Sequence, residues 1–362
     1  RERAIRVARA TEMPIEGKTR DGGSFSLQGF DESGQLKYYQ TDNLVAAQTI
    51  KTDEVWMGGD AGLDLKGSYS TMMIWDGGRV LTTHQELTGR VAQIDGATLL
   101  SDHATHVAGT MCATGVDPNA KGMAYQGLLR AFDSNNDISE IATQAAENRR
   151  LSNHSYSARC GRQRNEALNN RLEWWGNTAI STTEDYKFGF YDEDAADLDA
   201  IIYNAPFYVA VRSAGNDRSD TGSGIHWVRN PPASNTWVQS TAVRQPDGDL
   251  EGYDCIKQEA TAKNLITVGA LAVETEGGLI VSGMSIFTGW GPTDDGRIKP
   301  DLMAKGTNTY SSVATNNTTY GIFQGTSMST PSVTGSIHLL REHVSNLTQG
   351  VSALRASAMK AL

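Results

Sequence analysis

The chain has 362 residues, 39% of them hydrophobic, enough to bury a large core and compatible with one elaborated α/β domain. A formal net charge of −10 argues against nucleic acid as a partner. No run of about 18 apolar residues exists, so no segment is expected to span a membrane. The 37 Gly and 9 Pro suit many tight turns without a proline-rich linker. Cys112, Cys160 and Cys255 are an odd set without metal-type spacing; one disulfide plus a free thiol, or three reduced cysteines, fit equally. The chain begins Arg1-Glu2-Arg3, with neither Met nor a signal-peptide pattern, which fits an already trimmed chain and equally a sequence that is taken up from this point.

Residues 1–53 differ in character from the rest of the chain and read as an N-terminal extension. Residues 1–10 predict a short basic helix. Residues 24–28 and 35–39 flank the turn cluster Asp31-Glu32-Ser33-Gly34 and predict a hairpin. Such an extension is either a retained pro-segment or a structural cover. Next, Thr71-Met72-Met73-Ile74-Trp75-Asp76-Gly77-Gly78 is an apolar run closed by an acid and two glycines. It predicts a buried strand with Asp76 at its C-terminal edge, where open α/β sheets build their sites. A turn aspartate capping its own backbone is the structural alternative. Asp60 and Asp64 follow no comparable strand and read as loop residues.

Ser101-Asp102-His103-Ala104-Thr105-His106-Val107-Ala108-Gly109-Thr110 leads from a turn into a helix of small residues. Zinc wants three or four ligands, and no such set is near the two histidines. Ala104, Ala108 and Gly109 permit close packing against other backbone. His103, at the helix tip, is the candidate base; His106 reads as a buried, hydrogen-bonded histidine. Residues 124–132 predict a strand, 138–149 a helix with Ile138, Ile141 and Ala145 inward, and 151–157 another strand end. An insertion near 158–192 holds Trp174, Trp175, Tyr186, Phe188, Phe190 and Tyr191. Its rings either line a cleft or pin the loop. Asp192 is placed to cap a helix over 193–203.

Residues 207–216 predict a buried strand ending in Ser213-Ala214-Gly215-Asn216. Asn216 is either a turn residue or a side-chain donor to a developing oxyanion. A second insertion, near 217–258, reads as surface loop. Residues 261–272 predict a strand, 287–301 are turn-rich, and 337–362 are helical in pattern. Neither a long repeat nor a low-complexity tract is present. Finally, Gly325-Thr326-Ser327-Met328-Ser329-Thr330-Pro331 precedes a helix-compatible run. Pro331, with no N–H to donate, is expected in its first turn. That puts Ser327 near a helix N-terminus, where free N–H groups and the dipole favour an oxyanion. An N-cap serine is the plain alternative, because a serine nucleophile needs a base and an orienting acid.

Asp76, His103, Asn216 and Ser327 stand on four separate elements, and their motifs resemble those of the subtilisin-like serine proteases, the subtilases. His103-Ala104-Thr105-His106-Val107-Ala108-Gly109-Thr110 resembles H-G-T-H-V-A-G-T, with Ala104 in place of Gly. Gly325 to Pro331 resembles G-T-S-M-A-x-P, with Ser329 in place of Ala. Ser213-Ala214-Gly215-Asn216 resembles A-A-G-N, Ile74-Trp75-Asp76-Gly77-Gly78 the weaker I-x-D-x-G, and Thr288-Gly289-Trp290-Gly291-Pro292 the family's S-x-W-G-P. The order Asp, His, Ser is that of subtilisin. The overall look is close to secreted members from Bacteroidetes-type bacteria.

The resemblance implies an α/β, three-layer subtilisin-like fold over residues 54–362, with a mostly parallel central sheet flanked by helices and an N-terminal β-hairpin extension. It implies peptide-bond hydrolysis with Ser327 as nucleophile, His103 as base, Asp76 as its orienting acid and Asn216 as oxyanion donor. Extended protein or peptide substrates are expected along Ala131-Phe132-Asp133 and Ser155-Tyr156-Ser157, near Ala214 and Gly215, with Tyr156 and the aromatic insertion shaping the primary pocket. Catalysis is expected to need no cofactor. Structural calcium is frequent in the family, but no ligands for it are assignable here. Location is expected outside the cell or at its surface. Family catalytic domains run further past the nucleophile than Leu362, so a C-terminal segment or domain beyond it is expected. A catalytically silent fold serving as a binding or cargo protein would show loss of a triad member, and none is lost. An esterase would want G-x-S-x-G, and sedolisins Glu and Asp in place of His103 and Asn216.

Overall fold

The computed structural model describes residues 2–18, 24–30, 34, 36–41, 49–222, 224–232, 234, 236–249, 251–276, 279–350 and 353–362. Its centre is an eight-stranded sheet. From one edge the order is Leu279–Met284, Ile266–Glu276, Val209–Ser213, Leu151–His154, Thr71–Asp76, Leu128–Asp133 and Val91–Gln93, with Leu302–Lys305 also on Ile266–Glu276. Every pairing is parallel except that of Leu279–Met284. A parallel sheet is covered on both faces, so its strands read as apolar runs. Met72 and Ile74 point to one face, where Val107, Met111 and Met328 of helices Asp102–Cys112 and Thr326–Leu347 bury them. Met73 and Trp75 point to the other, against Ile141, Leu198 and Ile202 of helices Asp137–Ala146 and Glu193–Asn204. The result is the expected three-layer α/β arrangement. Asp192 caps its helix as expected, accepting from the Ala195 N–H at 2.9 Å.

The N-terminal helix spans Glu2–Ala10. Strands Ser24–Phe30 and Leu36–Thr41 pair antiparallel, with Glu16–Lys18 as a third strand. The expected turn residues between them, apart from Gly34, lie outside the described residues. Ala4, Ala8, Met13, Leu27 and Leu36 form an apolar cluster with Trp175, against which Trp237 packs. Leu36–Thr41 also pairs antiparallel with Tyr156–Ala158, with Thr41 opposite Tyr156.

The second insertion, expected as surface loop, instead joins the first in one four-stranded sheet of Arg162–Asn165, Arg171–Trp174, His226–Arg229 and Trp237–Ser240. Its interior is held by charges rather than by alternating apolar residues, so a hydropathy reading misses it. Arg162 pairs with Asp247 at 2.7 Å, both buried, and the Arg244 guanidinium lies 3.8 Å over Trp174. Trp174 and Trp175 pin the insertion; they do not line an open cleft. The C-terminal helical pattern also breaks: the long helix stops at Leu347, and a short one runs over Ala356–Ala361. All three cysteines are buried and free. Among the described residues, no helix is long and apolar enough to cross a membrane.

Burial depresses five histidines: His106 to about 3, His338 to about 4, His154 well below its ordinary value, and His84 and His226 below it as well. At these histidines the unfolded chain binds more protons than the folded one, so their contribution to stability is present near neutral pH and is lost as pH falls. Each of the first three steepens the loss by about 1.4 kcal/mol per pH unit. Desolvation raises the carboxyls of Glu140 to about 7 and Asp254 to about 6, and these act in the opposite sense over the same window. Denaturant melts at roughly pH 7 and pH 4.5 test the histidine contribution when the unmodified protein is compared with His338→Gln, which should lose less stability on acidification; an equal loss in both would contradict it.

Candidate active site

Asp76 ends an interior strand of the sheet, from which the chain leads to the edge strand Val91–Gln93, while the adjoining strand Leu151–His154 leads the other way to Val209–Ser213; crevices open at such reversals. Its Oδ1 accepts from the Gly77 N–H at 2.7 Å and lies 2.6 Å from His103 Nδ1. Its Oδ2 is buried with no partner among the described residues. His103 is held at the start of helix Asp102–Cys112, whose N-cap, Ser101, accepts from the Ala104 N–H at 3.0 Å. The small residues of this helix act as expected. A Cβ on Gly109 would come within 2.3 Å of the Ser311 and Ser312 hydroxyls. His106 packs on Phe323 and reaches the Thr309 carbonyl at 3.4 Å.

Ser327 lies in the first turn of helix Thr326–Leu347. Pro331 sits one turn further in than the sequence suggested. Because Pro331 has no N–H, the Ser327 carbonyl four residues earlier loses its helical donor. Ser155 supplies the replacement, its Oγ donating to Ser327 O at 2.7 Å. Asn153 donates to that same Oγ at 3.0 Å, and Thr334 of the helix donates to Asn153 at 2.9 Å. In return, Ser327 Oγ donates to the Ser155 carbonyl at 3.1 Å. Sequence reading missed this staple between strand and helix, although two polar residues at i and i+2 in a buried strand were its signal. Ser155→Ala leaves a buried carbonyl unpaired and is expected to cost about 1–3 kcal/mol of stability in denaturant melts. A loss below about 0.5 kcal/mol would show the carbonyl has another partner.

Asn216 follows strand Val209–Ser213. Its Oδ1 accepts from Thr326 N–H at 2.8 Å and Thr326 Oγ1 at 3.0 Å. A backbone N–H can only meet the oxygen, which fixes the amide's orientation and turns Nδ2 away. Nδ2 is buried and has no partner among the described residues. A buried donor left unpaired costs free energy and calls for an explanation; here it stands beside the residue that precedes Ser327. The turn needs glycine at 215, where φ is +107° and a Cβ would lie 2.6 Å from Lys257 Cγ. Of the four expected catalytic residues, Asp76 and Asn216 thus lie at the C-terminal edge of one sheet, and His103 and Ser327 at the starts of two helices.

The sequence model of the subtilase family matches residues 65–362. The chain belongs to the subtilase family. Among curated proteins, this subtilase is 22% identical over 300 residues to a serine protease/ABC transporter B family protein of Dictyostelium discoideum, which takes in 69% of the chain and 16% of that protein. It is 49% identical over 59 residues to the C5a peptidase of Streptococcus pyogenes, 16% of the chain and 5% of the peptidase. The chain therefore spans a small fraction of these relatives. Among solved structures, the Clostridium perfringens CspB protease aligns with a TM-score of 0.53 at 15% identity, over 79% of this chain and 86% of that one. The prenylagaramide maturation protease PagA aligns at 0.51 and 17% identity, over 82% of each. Both share the fold.

The expected substrate-binding segments of the subtilase are already engaged. Ala131 has sheet neighbours on both sides, Ile74 and Gln93, so it offers no open edge. Phe132 stacks on Trp75 at 4.5 Å, and Asp133 N–H donates to Asp95. The backbone at Tyr156–Ala158 is paired with Leu36–Thr41. The Tyr156 side chain does not shape a pocket: it is buried, donates to Asp137 at 2.8 Å and reaches His154 at 3.1 Å. Ala214 and Gly215 spend their N–H groups on Val268 O and Thr326 Oγ1. His103 and Ser327 are 0% exposed. Among the described residues, no three His, Cys, Asp or Glu side chains are grouped to hold a metal ion, so no calcium site is assigned.

Proposed function

We propose that this subtilase chain carries the catalytic site of a serine endopeptidase that acts on proteins or peptides outside the cell through an acyl-enzyme. The observation that carries the reading is the buried Asp76–His103 pair at 2.6 Å, together with a serine at a helix start and an amide whose donor has no partner among the described residues. For reaction the Ser327 hydroxyl turns from the Ser155 carbonyl to His103 and attacks the substrate carbonyl. His103 takes its proton and later gives it to the leaving amine. Asp76 holds the imidazole tautomer and stabilises the imidazolium. The oxyanion falls to Asn216 Nδ2 and the Ser327 N–H, at the positive end of the helix.

Substrate reaches this site by strand addition only when Leu36–Thr41 has left Tyr156–Ala158. Strand Leu36–Thr41 thus acts as a cover. The full burial of Ser327 and His103 favours a second reading, a silent fold used for binding. A fluorescent fluorophosphonate and casein decide between them, applied to the intact chain and to one with the N-terminal segment removed. Labelling and hydrolysis in either form support the protease. Their absence in both, with the protein folded, leaves the silent fold.

A further inference from the structure

A buried ion pair holds the turn that carries Asn216. Lys257 and Asp217 are 1% and 2% exposed. Lys257 Nζ lies 2.8 Å from Asp217 Oδ2 and 3.0 Å from Oδ1. Asp217 also accepts from Gln163 Nε2 at 2.9 Å and from the backbone N–H of Asn216 at 3.2 Å. The Lys257 N–H donates to the Ala214 carbonyl at 3.2 Å. Its alkyl chain runs against Gly215, which has no Cβ to obstruct it. One lysine thus meets the turn at Ala214 and Gly215 directly, and at Asn216 through Asp217.

Stability alone does not account for this arrangement. Desolvating two charges offsets most of their attraction, and apolar side chains of similar volume usually fill such a space as well or better. Apolar side chains cannot bind the Asn216 N–H or fix its direction. An oxyanion donor works only when it is already aimed at the place where charge develops, and small displacements are costly. The Asn216 side chain is anchored to Thr326 on one side, and its backbone to Asp217 on the other.

We infer that Lys257 and Asp217 are positioning residues for the oxyanion donor Asn216, acting on turnover through it without touching substrate. This rests on the protease reading above. The test uses Lys257→Met together with Asp217→Asn, which removes the pair without leaving a lone buried charge. In protein whose melting shows it folded, kcat on a peptide substrate is expected to fall about tenfold with KM within about twofold. In an Asn216→Ala background the same double change is expected to cost less than about twofold, because the device and the donor act as one unit. Gln163→Met, which removes one donor to Asp217 and keeps the pair, is the milder probe should the double variant not fold; it is expected to lower kcat about threefold and to have no effect once Asn216 is alanine. Undiminished kcat overturns the inference. So does a change in KM alone, which would place the pair in a substrate pocket, or an equal loss in both backgrounds. Absence of labelling and hydrolysis both in the intact chain and in one with the N-terminal segment removed overturns the protease reading itself; an active protein indifferent to the pair overturns only this inference.

Discussion

Ser327→Ala is expected to abolish fluorophosphonate labelling and to lower peptide hydrolysis about a million-fold, the loss found when the nucleophile of the subtilisin triad is removed. The fold should survive. The substitution removes only the hydroxyl that donates to Ser155 O, while the Ser327 carbonyl keeps its bond from Ser155 Oγ. Melting should therefore stay close to that of the unmodified protein. The kinetics are best read as kcat/KM on a quenched fluorescent peptide. Residual hydrolysis within about a hundredfold of the unmodified protein would mean that another residue is the nucleophile.

Asn216→Ala should lower kcat about 100- to 1000-fold with little change in KM, because its donor gains strength only as the carbonyl becomes an oxyanion. The magnitude comes from subtilisin, a member of the same family. Alanine also deletes the anchor to Thr326, so a second variant is needed to separate the two roles. Asn216→Asp keeps an oxygen for the Thr326 N–H and hydroxyl and replaces the unpartnered NH2 with a second oxygen. It should melt like the unmodified protein and yet lose at least as much turnover. Retained activity in Asn216→Asp would show that the residue is only a turn anchor.

Asp76, His103, Asn216 and Ser327 are legible in the sequence because each closes or opens an element whose residues are locally decisive. Asp76 ends an apolar run, Met72 to Trp75, buried on both faces of the sheet, and His103 opens a helix whose small residues have to pack closely. The insertions are not legible. Arg162, Asp247, Arg244 and Arg229 look like solvent residues until their distant partners are known; Asp247 and Arg162 alone are 85 positions apart. Pro331 is expected too early because the rule for its missing N–H allows two solutions. It sits in the first turn, or the orphaned carbonyl finds an outside donor. Ser155 makes the second one work. The substrate edges fail for a related reason. Sequence shows that a strand exists, but not whether its neighbours have already taken its hydrogen bonds, as Gln93 and Thr41 have for Ala131 and Tyr156.

The apolar cluster shared by Ala4, Ala8, Met13, Leu27 and Leu36 with Trp175 has a thermodynamic consequence. While the chain is continuous, the tether supplies these residues to the tryptophan at an effective concentration on the order of millimolar. A single cut between the two partners changes the order of the equilibrium. The N-terminal piece becomes a dissociable ligand, and its occupancy falls on dilution. Melting then depends on protein concentration, by mass action, without any other contact being altered. Departure would uncover Trp175 and the adjoining Trp237, turning a small core into an exposed apolar patch.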